Sequence, residues 1–111
     1  MFKRKLKMVT KEKADKVVDE IKKAVEPDEI YLFGSYVSGQ TKENSDLDIC
    51  IIKNDVKDKH QLLLKAKKSL INIGLPIDML LFSKEGFTRR QNIWGSVQYE
   101  IFHKGRKVYG K

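Results

Sequence analysis

Three short runs of β-branched, aliphatic and aromatic residues, 30–33, 46–52 and 77–82, constrain this chain more than any other feature. Each is too short for a buried helix and has the composition of a strand inside a sheet. The first, Ile30-Tyr31-Leu32-Phe33, stops abruptly at Gly34-Ser35. The second begins with two acids, Asp46-Leu47-Asp48, before Ile49-Cys50-Ile51-Ile52. The third is apolar except for Asp78.

The segments between them have helical periodicity. Over residues 10–25, Ala14, Val17, Val18, Ile21, Ala24 and Val25 form one face, with Thr10 as N-cap and Pro27 as stop. Over 57–73, Leu62, Leu63, Ala66, Leu70 and Ile73 share a face, and Gly74-Leu75-Pro76 ends it. Ser83 caps a short helix toward Arg90, Gly95 breaks the pattern, and 96–104 is helical again. Lys107-Val108-Tyr109 then makes an edge strand, while 40–45 reads as a loop. The order predicts an α/β (α+β) domain in which a small mixed sheet is flanked by helices.

At 111 residues the chain holds one domain, expected over 10–111 behind a basic arm at 1–9. Lys3, Arg4, Lys5, Lys7, Lys11 and Lys13 against Glu12 alone contribute +5 of the net +8. Such a segment attracts polyanions over a distance that salt shortens. No run approaches the roughly 18 apolar residues of a membrane span, and the polar start does not suit a secretory leader. A cytoplasmic location is the expectation. Cys50 is the single cysteine, so it can form neither an internal disulfide nor a multi-cysteine metal site, and its apolar surroundings predict a core residue.

Asp46 and Asp48, separated by one residue at a strand start, point to one side of the pleat with Cα atoms about 6–7 Å apart. Two ionised carboxylates so close repel unless a cation lies between them. Magnesium suits the pair, because it binds one or two carboxylates and completes its shell with water and substrate phosphates. An Asp-x-Asp pair alone is common in strand starts. Gly34-Ser35 gives it meaning, since the preceding strand aims that turn at the same sheet edge. There a glycine admits close approach, and backbone N–H groups with the serine hydroxyl can meet phosphate. The chain has neither a Walker P-loop nor a dinucleotide-binding fingerprint.

Gly34-Ser35, ten intervening residues and Asp46-Leu47-Asp48 together resemble the signature of the polymerase-β-like nucleotidyltransferases; Gly39 and Ser45 fit it too. The closest resemblance is to minimal nucleotidyltransferases (MNT), short prokaryotic proteins often paired with a HEPN-domain toxin, and it covers nearly the whole chain. Val37 and Ser38 depart from the pattern, standing where Ala-Arg is frequent. The resemblance implies nucleotide binding by Gly34, Ser35 and Ser45. It also implies a third carboxylate on the neighbouring strand, where Asp78 has the matching position.

The implied activity is metal-dependent transfer of a nucleoside monophosphate from a triphosphate to a hydroxyl, with Asp46, Asp48 and Asp78 as metal ligands and catalytic residues. Two Mg2+ ions are implied, with Mn2+ as a substitute, and ATP or another nucleoside triphosphate as substrate. The implied acceptor is a HEPN-type toxin for which this chain is the antitoxin. Two alternatives stand beside this reading: a nucleotide-binding regulatory module acting through complex formation, and a transferase acting on nucleic acid through the basic arm. A homo-oligomer is also compatible with the sequence. Trp94, Tyr99 and Phe102 read as core or partner contacts, and His60 and His103 as surface residues.

Overall fold

The computed structural model describes residues 9–40 and 46–110. Helix α1 is Lys11–Val25, started by Thr10, whose hydroxyl accepts from the Lys13 N–H at 3.2 Å. Glu26 turns left-handed at φ 47° and ends it before Pro27. Strand β1 (Glu29–Phe33), the single turn α2 (Ser35–Ser38) and strand β2 (Leu47–Ile52) follow. Next come α3 (Lys59–Ser69), a 3-10 turn over Ile71–Ile73 and β3 (Ile77–Phe82). The chain closes with α4 (Lys84–Arg90), α5 (Val97–Lys104) and β4 (Arg106–Tyr109).

The expected elements are present, with differences at their boundaries: β1 and β4 each begin one residue earlier than expected, at Glu29 and Arg106. The second long helix is shorter than 57–73. Asp58 caps it from Gln61, and the Ser69 hydroxyl donates to the Ala66 carbonyl at 2.6 Å, after which the backbone tightens to 3-10 geometry before left-handed Gly74. Asp46 precedes β2, and Leu47 starts the strand by donating to the Pro76 carbonyl at 2.9 Å. Of the basic arm expected at 1–9, Val9 is described and packs into the core; the rest of the arm lies outside the described residues.

The strands lie in the order β3-β2-β1-β4. β2 pairs antiparallel with β1 and parallel with β3, and β4 pairs antiparallel with the other edge of β1. The parallel pair requires a crossover, which α3 supplies. Because side chains alternate across a sheet, β1, β2 and β3 each feed two cores. Leu32, Leu47, Ile49, Ile51, Met79 and Leu81 pack on the α1 and α3 side with Val17, Ile21 and Ala66. Tyr31, Cys50 and Ile52 pack on the other side with Phe87 of α4 and Ile101 of α5. Helices cover both faces, and the acids of β2 and β3 share the alternation of the second face.

Phe87 anchors that second core. It is fully buried, and its ring centre lies 5.3 Å from Tyr31, 6.1 Å from Phe82 and 6.3 Å from Phe102. Trp94, expected as a core or partner residue, is 83% exposed and joins neither cluster. Tyr99 instead stacks near His103 at 4.2 Å. Among the described residues, no helix is long and apolar enough to cross a membrane. In urea titrations, Phe87→Ala is expected to lose about 3–5 kcal/mol through the cavity it leaves, whereas Trp94→Ala should change stability by less than about 0.5 kcal/mol.

Candidate active site

The β1 chain turns at Gly34, which has φ 77° and ψ −152°, a conformation suited to glycine. A side-chain carbon there would overlap Oδ2 of Asp48 and crowd its Cγ at 3.0 Å. Gly34 is thus required twice, once for its backbone and once for the carboxylate packed against it. α2 has only four residues, so a helix dipole adds little at this turn. Gly39, at φ 80°, closes the turn with its N–H on the Ser35 carbonyl.

Register brings the acids together. Phe33 of β1 and Asp78 of β3 are the two partners of Asp48 across β2. Asp48 is half-buried, whereas Asp46 and Asp78 are exposed. The cost of burying Asp78, expected from its apolar neighbours, does not arise, because β3 is an edge strand and the side chain faces solvent. Burial pushes the Asp48 carboxyl above its ordinary range, and the charges of Asp78 and Asp46 push it further the same way.

A divalent cation placed between these carboxylates would oppose each of these charge effects. The carboxylates converge by register and charge without forming a coordination shell: among the described residues, no group of three His, Cys, Asp or Glu side chains is close enough to hold an ion. Ser45, expected to touch nucleotide, lies outside the described residues. Burial pushes the Cys50 thiol up to about 12, so this core residue is inert at neutral pH. His60 and His103 are exposed, and His103 meets the Asn92 side chain at 2.9 Å.

A cavity of about 450 Å3 opens beside the glycine turn, with Gly34, Ser35 and Ser38 on one wall and Val97, Glu100 and Lys104 of α5 on the other. Larger hollows exist between α1 and α3, about 540 Å3, and beside Glu29 at the far end of β1, about 1000 Å3. Neither is lined by the motif residues, whereas the glycine-turn cavity is lined by Gly34 and Ser35, though by none of the three aspartates. Sequence reasoning missed the α5 wall. Helical spacing does put Val97, Glu100 and Lys104 on one face, but nothing in the pattern says that this face meets Gly34.

Two measurements check the site's physics. Gly34→Ala should displace the Asp48 carboxylate and lower the melting temperature of the metal-free protein by several degrees, with Asp48→Asn in the same chain recovering little, since the strained φ remains. Asp48→Asn alone has the opposite sign. Because folding raises the Asp48 pKa, its contribution to stability is fully present below the unfolded carboxylate value of about 3.9 and is lost as pH rises through the folded value. Metal-free Asp48→Asn should therefore melt higher than the parent at pH 7, with the gap closing toward pH 3.

The family model described as Polymerase beta, Nucleotidyltransferase matches residues 15–111. A protein of Methanocaldococcus jannaschii that carries the provisional name of protein adenylyltransferase is 36% identical over 80 residues, covering 72% of this chain and 76% of the relative. A toxin-antitoxin structure with AMP-PNP superposes with a TM-score of 0.66 at 22% identity, over 87% of this chain and 73% of that one. The MNT antitoxin complex with a tri-AMPylated Shewanella oneidensis HEPN toxin gives a TM-score of 0.59 at 19% identity, over 89% and 71%. At these identities the structural matches speak to the fold alone.

Proposed function

The chain belongs to the polymerase beta nucleotidyltransferase family, and from that premise we propose that it is a metal-dependent protein adenylyltransferase that moves AMP from ATP to a hydroxyl of a HEPN-type partner toxin. The observation that carries this reading is the register match of Asp48 with Asp78, with Gly34 packed so closely on the Asp48 carboxylate that no side chain fits there. The name of the archaeal relative supports a protein acceptor, and the AMP-PNP and HEPN complexes support ATP and the partner.

In this mechanism Asp46 and Asp48 would hold the metal of the bound nucleotide, and Asp78 would join them at a second. Mg2+, or Mn2+ in its stead, would supply neutralisation of phosphate charge there. Gly34, Ser35 and Ser45 seat the triphosphate. The acceptor hydroxyl oxygen forms a bond to the α-phosphorus as the bond from that phosphorus to the bridging oxygen breaks. Pyrophosphate leaves with the electron pair, and Asp78 receives the hydroxyl proton.

The test is incubation with α-phosphate-labelled ATP, Mg2+ and the co-expressed partner. Label should appear on the partner, vanish with EDTA and return with Mg2+ or Mn2+. Outer-shell changes at metal sites typically cost about 10- to 100-fold, so Asp46→Asn with Asp48→Asn, which removes ligands themselves, should reduce labelling by at least about 100-fold. Stable complex formation with no labelling would convert the assignment to a binding antitoxin. Label on RNA would convert it to a nucleic-acid transferase.

A further inference from the structure

We propose that Lys104, at the end of α5, is a positioning residue that holds the phosphates of the nucleotide, and that Glu100 occupies its ammonium group when no nucleotide is bound. The inference rests on the nucleotide site proposed above. Among the described residues that line the cavity beside Gly34 and Ser35, Lys104 is the only basic one. The opposite wall, α2, has the sequence Ser-Tyr-Val-Ser and brings no cation. The carboxylates that converge at Asp48 add only negative charge to that end of the sheet. A polyanionic ligand seated there needs a counter-charge from the protein beyond the metals, and the α5 wall is where one lines the cavity.

The lysine is also anchored at its base and largely exposed along its side chain. Gly105, which follows it, is packed so closely that a side-chain carbon there would overlap the Ile101 carbonyl oxygen and come within 2.9 Å of the Leu32 carbonyl oxygen. This contact pins the end of α5 to β1 two residues before Gly34. The Lys104 stem therefore starts from a fixed point, while its side chain is 70% exposed. Its ammonium is 3.2 Å from Glu100, itself 50% exposed. An exposed i,i+4 pair of this kind is weak and exchanges readily for a stronger anion. Lysine suits the role because its charge is a compact point on a flexible chain.

Calorimetric titration of ATP in Mg2+ into the full chain tests this. Charge-assisted hydrogen bonds of this class set the expectation that Lys104→Ala weakens ATP binding about 10- to 100-fold. Lys104→Arg should retain most of the affinity, and Glu100→Gln should tighten binding, since it frees the ammonium. All three variants should melt within a few degrees of the parent. Parent-like ATP binding by Lys104→Ala, or a Glu100→Gln variant weakened as much as Lys104→Ala, would overturn the assignment while leaving the nucleotide site intact. Absence of ATP binding by the parent chain would overturn the proposed function, and this assignment with it.

Discussion

The position of β2 inside the sheet governs the rest of the molecule. It is held antiparallel on one side and parallel on the other, and it gives one face to each of two cores. A slip of one residue would exchange the faces, driving Asp48 toward Ile21 and Ala66 and turning Ile49 and Ile51 toward the acids. The apolar cost of that exchange fixes the register. The register in turn sets Asp48 opposite Asp78 and beneath Gly34. The geometry of the site is thus secured by hydrophobic burial along β2, beginning with Leu47 and Ile49 on either side of Asp48.

The two ends of the sheet treat their acids in opposite ways. Glu29, at the start of β1, is buried, with Lys84 at 2.8 Å and Lys107 at 3.1 Å from its carboxylate oxygens. Burial alone would raise its pKa, but the two lysines outweigh it and the carboxyl is held below its ordinary range. These contacts tie α4 and β4 to β1, and the protein itself neutralises the charge. At the other end Asp48 is flanked by acids, and both burial and charge raise its pKa. The first arrangement is a structural joint. The second leaves a repulsion that the protein itself does not neutralise and that a cation held there, as in the proposed function, would relieve.

The helices divide the labour similarly. α1 and α3 close the core on one face and contribute nothing to the lining of the glycine-turn cavity. α5 does both tasks, burying Ile101 on one side and presenting Val97, Glu100 and Lys104 to the cavity on the other. A short amphipathic helix thus serves as core cover and site wall, which is economical in a chain of 111 residues.

The local signals that sterics and periodicity impose were readable in the sequence by itself. Thr10 and Ser83 cap the helices they precede, Gly74 closes the segment after the second long helix, and the three apolar runs are strands. The Gly-Ser and Asp-x-Asp spacing likewise determined the family, because such a motif is contiguous and its chemistry lies in residue type and separation. Only the tertiary structure decided the pairing of Asp48 with Asp78, the exposure of Asp78 and Trp94, and the approach of α5 to Gly34. Each depends on which strand is an edge or on which helix face meets which turn. Those choices are made by the packing of distant segments, and no local pattern of residues carries them.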